Sequence, residues 1–195
     1  MTSDGEFYSD RQDDEAQLIA RIAARDEHAF RSTIERHAER LHRIAYRMMG
    51  DAHEAEDIAQ EAMLRLWDHA PRLDASAGAR GIKLGGWLKR VAVNLTIDRL
   101  RLKKRTSDSE VPERADDAPL ADDQIQSEEE GAAARALIAD LPERQRAAIV
   151  LTYYEEMPNA EAAVVMDMNI KAFESLLHRA RAALRKKFED QGGAA

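Results

Sequence analysis

Apolar residues recur along this chain at every third or fourth position, in blocks set apart by polar stretches. No stretch alternates with the two-residue period of a half-buried strand. The first dozen residues, MTSDGEFYSDRQ, show no period and read as a tail, after which Leu18, Ile19, Ile22 and Ala23 mark a short helix. A longer helix is predicted from Glu27 to Met49, with Phe30, Ile34, Ala38, Leu41, Ile44, Ala45 and Met48 on one face and Gly50 as its left-handed stop. Asp51, with Glu54 three residues on, has the form of a capping box for a third helix. That helix buries Ile58, Ala62 and Leu66 and is expected to run through His69 and close at Pro71. Residues 72–86 hold four glycines and no clean period, so a long loop is expected there. The helical period resumes from Trp87 to about Lys104, with Trp87, Leu88, Val91, Leu95, Ile97 or Asp98, and Leu102 inward.

Residues 106–130 are acidic, carry Pro112 and Pro119, and have almost no aliphatics. Such a segment cannot offset its own ordering entropy and reads as a flexible linker. A second helical block follows. One helix is expected over Ala132–Ala139, and a second opens at Leu141-Pro142 and carries Ala147, Ile149, Val150, Leu151, Tyr153 and Tyr154. A short helix over Asn159–Met166 and a longer one over Ile170–Phe188 complete it. The expected fold is therefore all-α: two small helical domains joined by an acidic flexible linker. The divisions fall at 1–24 (acidic tail and short helix), 25–105, 106–130 (linker), 131–188 and 189–195 (tail). The two domains are expected to touch only when a partner holds them.

Charge changes the picture more than composition does. The net charge is −8, yet residues 83–105 carry eight bases against Asp98 alone, and residues 170–188 carry six against Glu174. Between them, residues 106–140 carry eleven acids against Arg114 and Arg135. Two basic segments separated by an acidic one imply two contacts with a polyanion. The absence of cysteine excludes a disulfide framework, a thiolate nucleophile and sulfur-ligated metal sites. No apolar run approaches the ~18 residues of a membrane span, so no membrane insertion and a cytoplasmic protein are expected.

The last two predicted helices have helix-turn-helix proportions: NAEAAVVMD, a turn around Asp167-Met168-Asn169, and the basic IKAFESLLHRARAALRKKF. Asp167 tolerates left-handed backbone, and Asn169 can cap the second helix. Ile170, Phe173, Leu176, Leu177, Ala180 and Leu184 form its expected buried stripe, which leaves Lys171, Glu174, Ser175, His178, Arg179, Arg181 and Arg185 outward. On the earlier basic helix, Lys89, Arg90, Asn94, Arg99, Arg101, Lys103, Lys104 and Arg105 lie on or beyond the apolar face. Basic side chains neutralise phosphates, whereas an Asn amide hydrogen-bonds base edges. The glycine-containing loop before it offers room for an extruded base.

Three stretches together resemble an extracytoplasmic-function (ECF) sigma factor of bacterial RNA polymerase. They are AEDIAQEAMLRLW, then GGWLKRVAVNLTIDRLRLKKR, then LPERQR followed by the helix-turn-helix and RARAALR. The resemblance implies that residues 25–105 and 131–188 are the family's second and fourth conserved regions. It implies that Asp57, Gln60, Glu61, Arg65 and Trp67 dock on the β′ clamp helices of core RNA polymerase, with Trp67 equally readable as a core residue, and that the helix opened by Leu141-Pro142 faces the β flap. It places Lys89, Arg90, Asn94, Asp98, Arg99 and Arg101 at the minus-ten promoter DNA, with Asp98 as an inward hydrogen-bonding group that fixes the loop or a neighbouring helix. Lys171, Glu174, Ser175, His178, Arg179, Arg181 and Arg185 go to the minus-thirty-five element. It also implies control by an anti-sigma factor, and no small-molecule substrate, cofactor or metal. Departures from the family pattern are Glu174, Leu176, Asp167 at the usual turn glycine, and Pro158.

Enzymatic readings fare worse. Glu39-x-x-His42 is half of a carboxylate-bridged di-metal motif without its second half, and no Gly-rich phosphate loop or nucleophile elbow is present. A sigma-like decoy that only sequesters an anti-sigma factor has no need of two basic helices. A simple helix-turn-helix repressor leaves residues 25–105 unexplained.

Overall fold

The computed structural model describes residues 15–80, 83–107 and 135–192, with side chains described for all of these except 75–80, 107 and 191–192. The expected acidic tail to residue 14 and the expected linker from residue 108 to 130 lie outside the described residues. Every regular element among the described residues is helical. In chain order they are α1 (residues 15–23), α2 (Glu27–Met49), α3 (Ala52–Arg80), α4 (Leu84–Ser107), α5 (residues 135–139), α6 (Glu143–Ile149), a π turn (Val150–Tyr154), α7 (Asn159–Val165) and α8 (Ile170–Gly192).

Local chemistry sets the boundaries. Asp26 Oδ1 accepts from the His28 and Ala29 N–H groups at 2.9 and 3.1 Å and opens α2. Those bonds and Arg21 hold the Asp26 carboxyl below its usual range. Gly50, at φ 71°, closes α2 with its N–H on Tyr46 O at 2.7 Å. Asp51 Oδ1 then accepts from Glu54 N at 3.0 Å to start α3.

The expected stop at Pro71 is not observed, and residues 72–80 are helix rather than loop. A proline inside a helix leaves the carbonyl four residues earlier without its N–H partner. Here that carbonyl belongs to Trp67, and Arg25 Nη1 donates to it at 2.9 Å while the Arg25 guanidinium lies over the Trp67 ring at 4.8 Å. A side chain distant in sequence thus satisfies the group that Pro71 orphans, and α3 continues. The structure therefore replaces most of the expected base-admitting loop by helix.

Two buried clusters organise the molecule. The first gathers Ile19, Ile22, Leu41, Ala45, Ile58, Ala62, Leu66, Leu88 and Ala92 from α1–α4, with Phe30 and Trp67 packed at 4.8 Å on its edge. The second is built on Phe173, Leu177, Ala180, Val150, Leu151, Ala162 and Ala163, and it also contains Ile44, Met48, Val93 and Ile97 of α2 and α4. The broad apolar faces of α2 and α4 are thus divided between two cores. This corrects the expectation that the two domains touch only under a partner's hold: they share a hydrophobic core within the single chain. Buried Arg146 fastens the join by donating from Nη1 to Met48 O at 2.5 Å, in the last turn of α2 where the helix dipole favours a cation. It also donates to Ala139 O. Burial pushes this guanidinium below its usual value.

Candidate nucleic-acid interface

The turn before α8 is built as its residues dictate. Asp167 sits at φ 55°, in the left-handed region an Asp tolerates, and Met168 N donates to Ala163 O at 2.9 Å. Asn169 Oδ1 caps α8 by accepting from Ala172 N at 2.9 Å. Phe173, Leu176, Leu177 and Ala180 turn inward, and Leu184 packs half-buried against them. Ile170 departs from the expected stripe and is 44% exposed.

The opposite face of α8 presents Lys171, Glu174, Ser175, His178, Arg179 and Arg185 to solvent. Among the described residues none of these side chains forms an ion pair; the ion pairs of this unit run through Glu155, Asp167 and Lys187 instead. Arg179 Nε leans back on Ser175 O at 3.4 Å. Arg181 differs from its neighbours: its Nε donates to Tyr153 Oη at 2.5 Å and its guanidinium lies 5.4 Å from that ring.

On α4 four of the sequence-predicted cations, Arg90, Arg99, Arg101 and Lys103, already meet a carboxylate, whereas Lys104 and Arg105 are exposed and form no ion pair among the described residues. Arg90 pairs with Asp167 at 2.8 Å, across the join and onto the turn of the helix-turn-helix. Arg99 pairs with Glu54 at 2.8 Å, and Lys103 reaches Asp51 at 3.2 Å and Glu54 at 3.4 Å. Lys103 and two backbone N–H bonds hold the Asp51 carboxyl below its usual range, with the Glu54 N–H bond the strongest cause. Lys89 is half-buried, and burial with Arg40 close by pushes its ammonium below the usual value. Asn94 is exposed, with its amide free to face a base. Asp98 is not the inward group expected of it: its side chain is 75% exposed and meets only Arg101, at 3.7 Å. Leu102, expected inward, is exposed as well, since the bundle ends before the last turns of α4.

On α3, Asp57, Gln60, Glu61 and Arg65 lie along the outer side, with Arg65 on Glu61 at 2.9 Å and Gln60 on Glu56 at 3.1 Å. Trp67 is half-buried between Phe30 and Arg25 and belongs to the edge of the core. Sequence reasoning passed over Leu64, which is 57% exposed on the same side as Asp57, Gln60 and Glu61. Its offset of three, four and seven residues from those three was the available signal.

Sequence reasoning also missed Glu155. Its side chain is 1% exposed and takes Arg40, Arg43 and Arg47 of α2 at 2.7, 3.5 and 3.6 Å. The spacing of the three arginines was visible on α2, but nothing in the sequence pairs them with a residue more than a hundred positions away. Among the described residues, no group of three or more His, Asp or Glu side chains is placed to hold a metal. No helix among them is long and apolar enough to cross a membrane.

Comparison with known proteins follows this geometry. The family described as Sigma-70 region 2 matches residues 33–106, and Sigma-70 region 4 matches residues 132–184. The ECF RNA polymerase sigma factor SigW of Bacillus subtilis (strain 168) is 33% identical over 183 residues, 88% of this chain and 95% of that protein. Among solved structures, CnrH in complex with the cytosolic domain of CnrY superposes with a TM-score of 0.65 at 23% identity, covering 90% of this chain and 97% of that one. The sigma factor RpoE in complex with the anti-sigma factor NepR, from Bartonella quintana, gives a TM-score of 0.63 at 20% identity, covering 82% and 96%. These two likenesses establish the shared fold.

Proposed function

This chain belongs to the ECF RNA polymerase sigma factors, and from that premise we propose how its residues divide the work. The outer side of α3, with Asp57, Gln60, Glu61, Arg65 and the exposed Leu64, docks on the β′ clamp helices of core polymerase. The helix opened by Leu141-Pro142 faces the β flap. Asn94 and the α4 cations take the minus-ten DNA and help open it, and Lys171, Glu174, Ser175, His178 and Arg179 read the minus-thirty-five element from the major groove. The protein works in the cytoplasm without chemistry of its own. An anti-sigma factor of the kind named with the RpoE structure restrains it.

The bare outer face of α8 carries this reading. A helix held by an Asn cap and a left-handed Asp turn presents five polar side chains with no ion pair to displace. Core polymerase pulldown followed by run-off transcription is the test. Wild type should bind core enzyme and start transcripts at a fixed promoter, and Lys171→Ala with Arg179→Ala should lose those starts while still binding core enzyme. Binding without any transcript would make the protein a decoy instead.

A further inference from the structure

Three arginines around one buried carboxylate exceed what a structural bridge needs. Arg40, Arg43 and Arg47 all converge on Glu155, and the nearest other acid, Glu39, is a surface side chain 3.7 Å from Arg43. Lys89 and Arg36 add to the same concentration of positive charge: both, with Arg40, act on His37, whose ring burial pushes below its usual value. Against this face the C-terminal unit sets Glu155, Glu161 and, on Arg90, Asp167. We propose that this face of α2 and α4 is a binding site for the DNA phosphate backbone, and that Glu155 and Asp167 occupy it as phosphate surrogates while the two units are packed together. The proposal deepens the promoter-binding reading given above and rests on it.

The chemistry fits both occupants. A guanidinium fork takes a carboxylate or a phosphate with the same paired geometry, so exchange between them costs little. Arg40 to Arg47 spans about 10 Å of helix, over which one DNA strand presents about three phosphates. The π turn supplies the aim. Glu155 N donates to Val150 O, five residues back, at 3.0 Å, and this extra residue in the turn brings the carboxylate round to face α2. Such turns favour functional positions. When the units part, the face loses its acids and keeps its cations.

The test uses the full chain, without polymerase, and a short mixed-sequence DNA duplex followed by fluorescence anisotropy across a salt series. Because the chain has no cysteine, dyes on Glu35→Cys and Lys186→Cys report separation of the units. Glu155→Gln should lengthen that distance and steepen the dependence of log affinity on log salt by about 2 to 3, near 0.9 per phosphate. Asp167→Asn, which keeps the left-handed turn, should act in the same direction more weakly. Adding Arg40→Ala, Arg43→Ala and Arg47→Ala to Glu155→Gln should restore the wild-type slope while the units stay apart. A longer distance with an unchanged slope overturns the site, and so does a steeper slope that survives loss of the three arginines. No change of distance in either acid variant overturns the surrogate role. None of these readouts depends on transcription, so failure of the sigma-factor reading would register separately in the run-off assay.

Discussion

On α8, Lys171, His178, Arg179 and Arg185 face solvent without a carboxylate partner, whereas on α4 Arg90, Arg99, Arg101 and Lys103 each already meet one. In the sequence the two helices look alike: basic, amphipathic and interrupted by a single acid. The structure separates them by what must be given up on binding DNA. A free cation on α8 gains the whole of a new phosphate or base contact. A cation on α4 exchanges one charged partner for another, so its contribution is a difference between two similar terms. Asn94, exposed and uncharged, stands outside this exchange, as do Lys104 and Arg105 at the end of α4, which are exposed and form no ion pair among the described residues.

The largest expected effect tests whether the helices are as separately supported as their surfaces are. Phe173 is fully buried beneath α8, in the same cluster as Val93 of α4. Phe173→Ala should cost about 3–5 kcal/mol, the usual loss for truncating a core aromatic. Since the cluster spans both units, urea unfolding should stay a single transition, shifted as a whole. Two separated transitions would show that the shared core does not couple them, and the contrast would become one of independent domains.

Substitutions on the two surfaces come next in size. Asn94→Ala should remove minus-ten discrimination, because a methyl group cannot replace an amide paired with a base. Lys171→Ala and Arg179→Ala should each weaken minus-thirty-five recognition by about 1–3 kcal/mol where the contact is to a base edge. Arg99→Ala should weaken promoter binding less than Arg179→Ala does, since Arg99 is already held by Glu54 at 2.8 Å. Glu54→Gln should then strengthen DNA binding by releasing Arg99, while Lys103 keeps its bridge to Asp51 at 3.2 Å. Equal losses at Arg99 and Arg179 in a promoter-binding titration would erase the distinction between the helices.

How far these features were legible depended on the range of the interactions behind them. The Asn169 cap, the left-handed Asp167 and the Phe173–Leu177–Ala180 stripe involve residues within a few positions of one another, and periodicity with capping chemistry found them. Pro71 misled because its orphaned carbonyl is satisfied by Arg25, which no local rule connects to it. The same limit hid the shared core. Ile44 and Met48 read as part of one α2 face, and period alone cannot show that a wide face divides between two partners. Asp98 was expected inward both from its place beside Ile97 in the helical period and from family resemblance, yet it sits on the outer side of α4, because period cannot tell which of two adjacent positions faces the core.

A smaller effect concerns His37, on α2 beneath Gly85, where a side chain at the glycine would meet the ring at 3.3 Å. Burial first, then Arg36, Lys89 and Arg40, depress its folded-state value. A histidine depressed in the folded state stabilises fully above its unfolded value of about 6.5 and loses that contribution as pH falls toward the lower folded value. Thermal unfolding of wild type should therefore soften as pH falls below about 6.5, and His37→Gln should flatten that stretch of the profile. Identical profiles for the two proteins would mean that His37 is not depressed in the folded state.

The smallest effect on affinity is the most informative about reading. Glu174 lies on the outer face of α8, and among the described residues it forms no ion pair with His178, Arg181 or any other base. Arg181, the neighbour best placed by sequence, is turned to Tyr153 instead. A carboxylate so left has one use in a major groove, which is to accept from a donor such as cytosine N4. Beside a phosphate it would only repel. Glu174→Ala should therefore change affinity for the preferred promoter by about 1 kcal/mol, while it relaxes the preference at a single base pair of the minus-thirty-five element. Selecting a promoter library with wild type and with Glu174→Ala shows this directly. Unchanged base preferences at every position would return Glu174 to the solvated surface and leave the reading to Lys171, Ser175, His178 and Arg179.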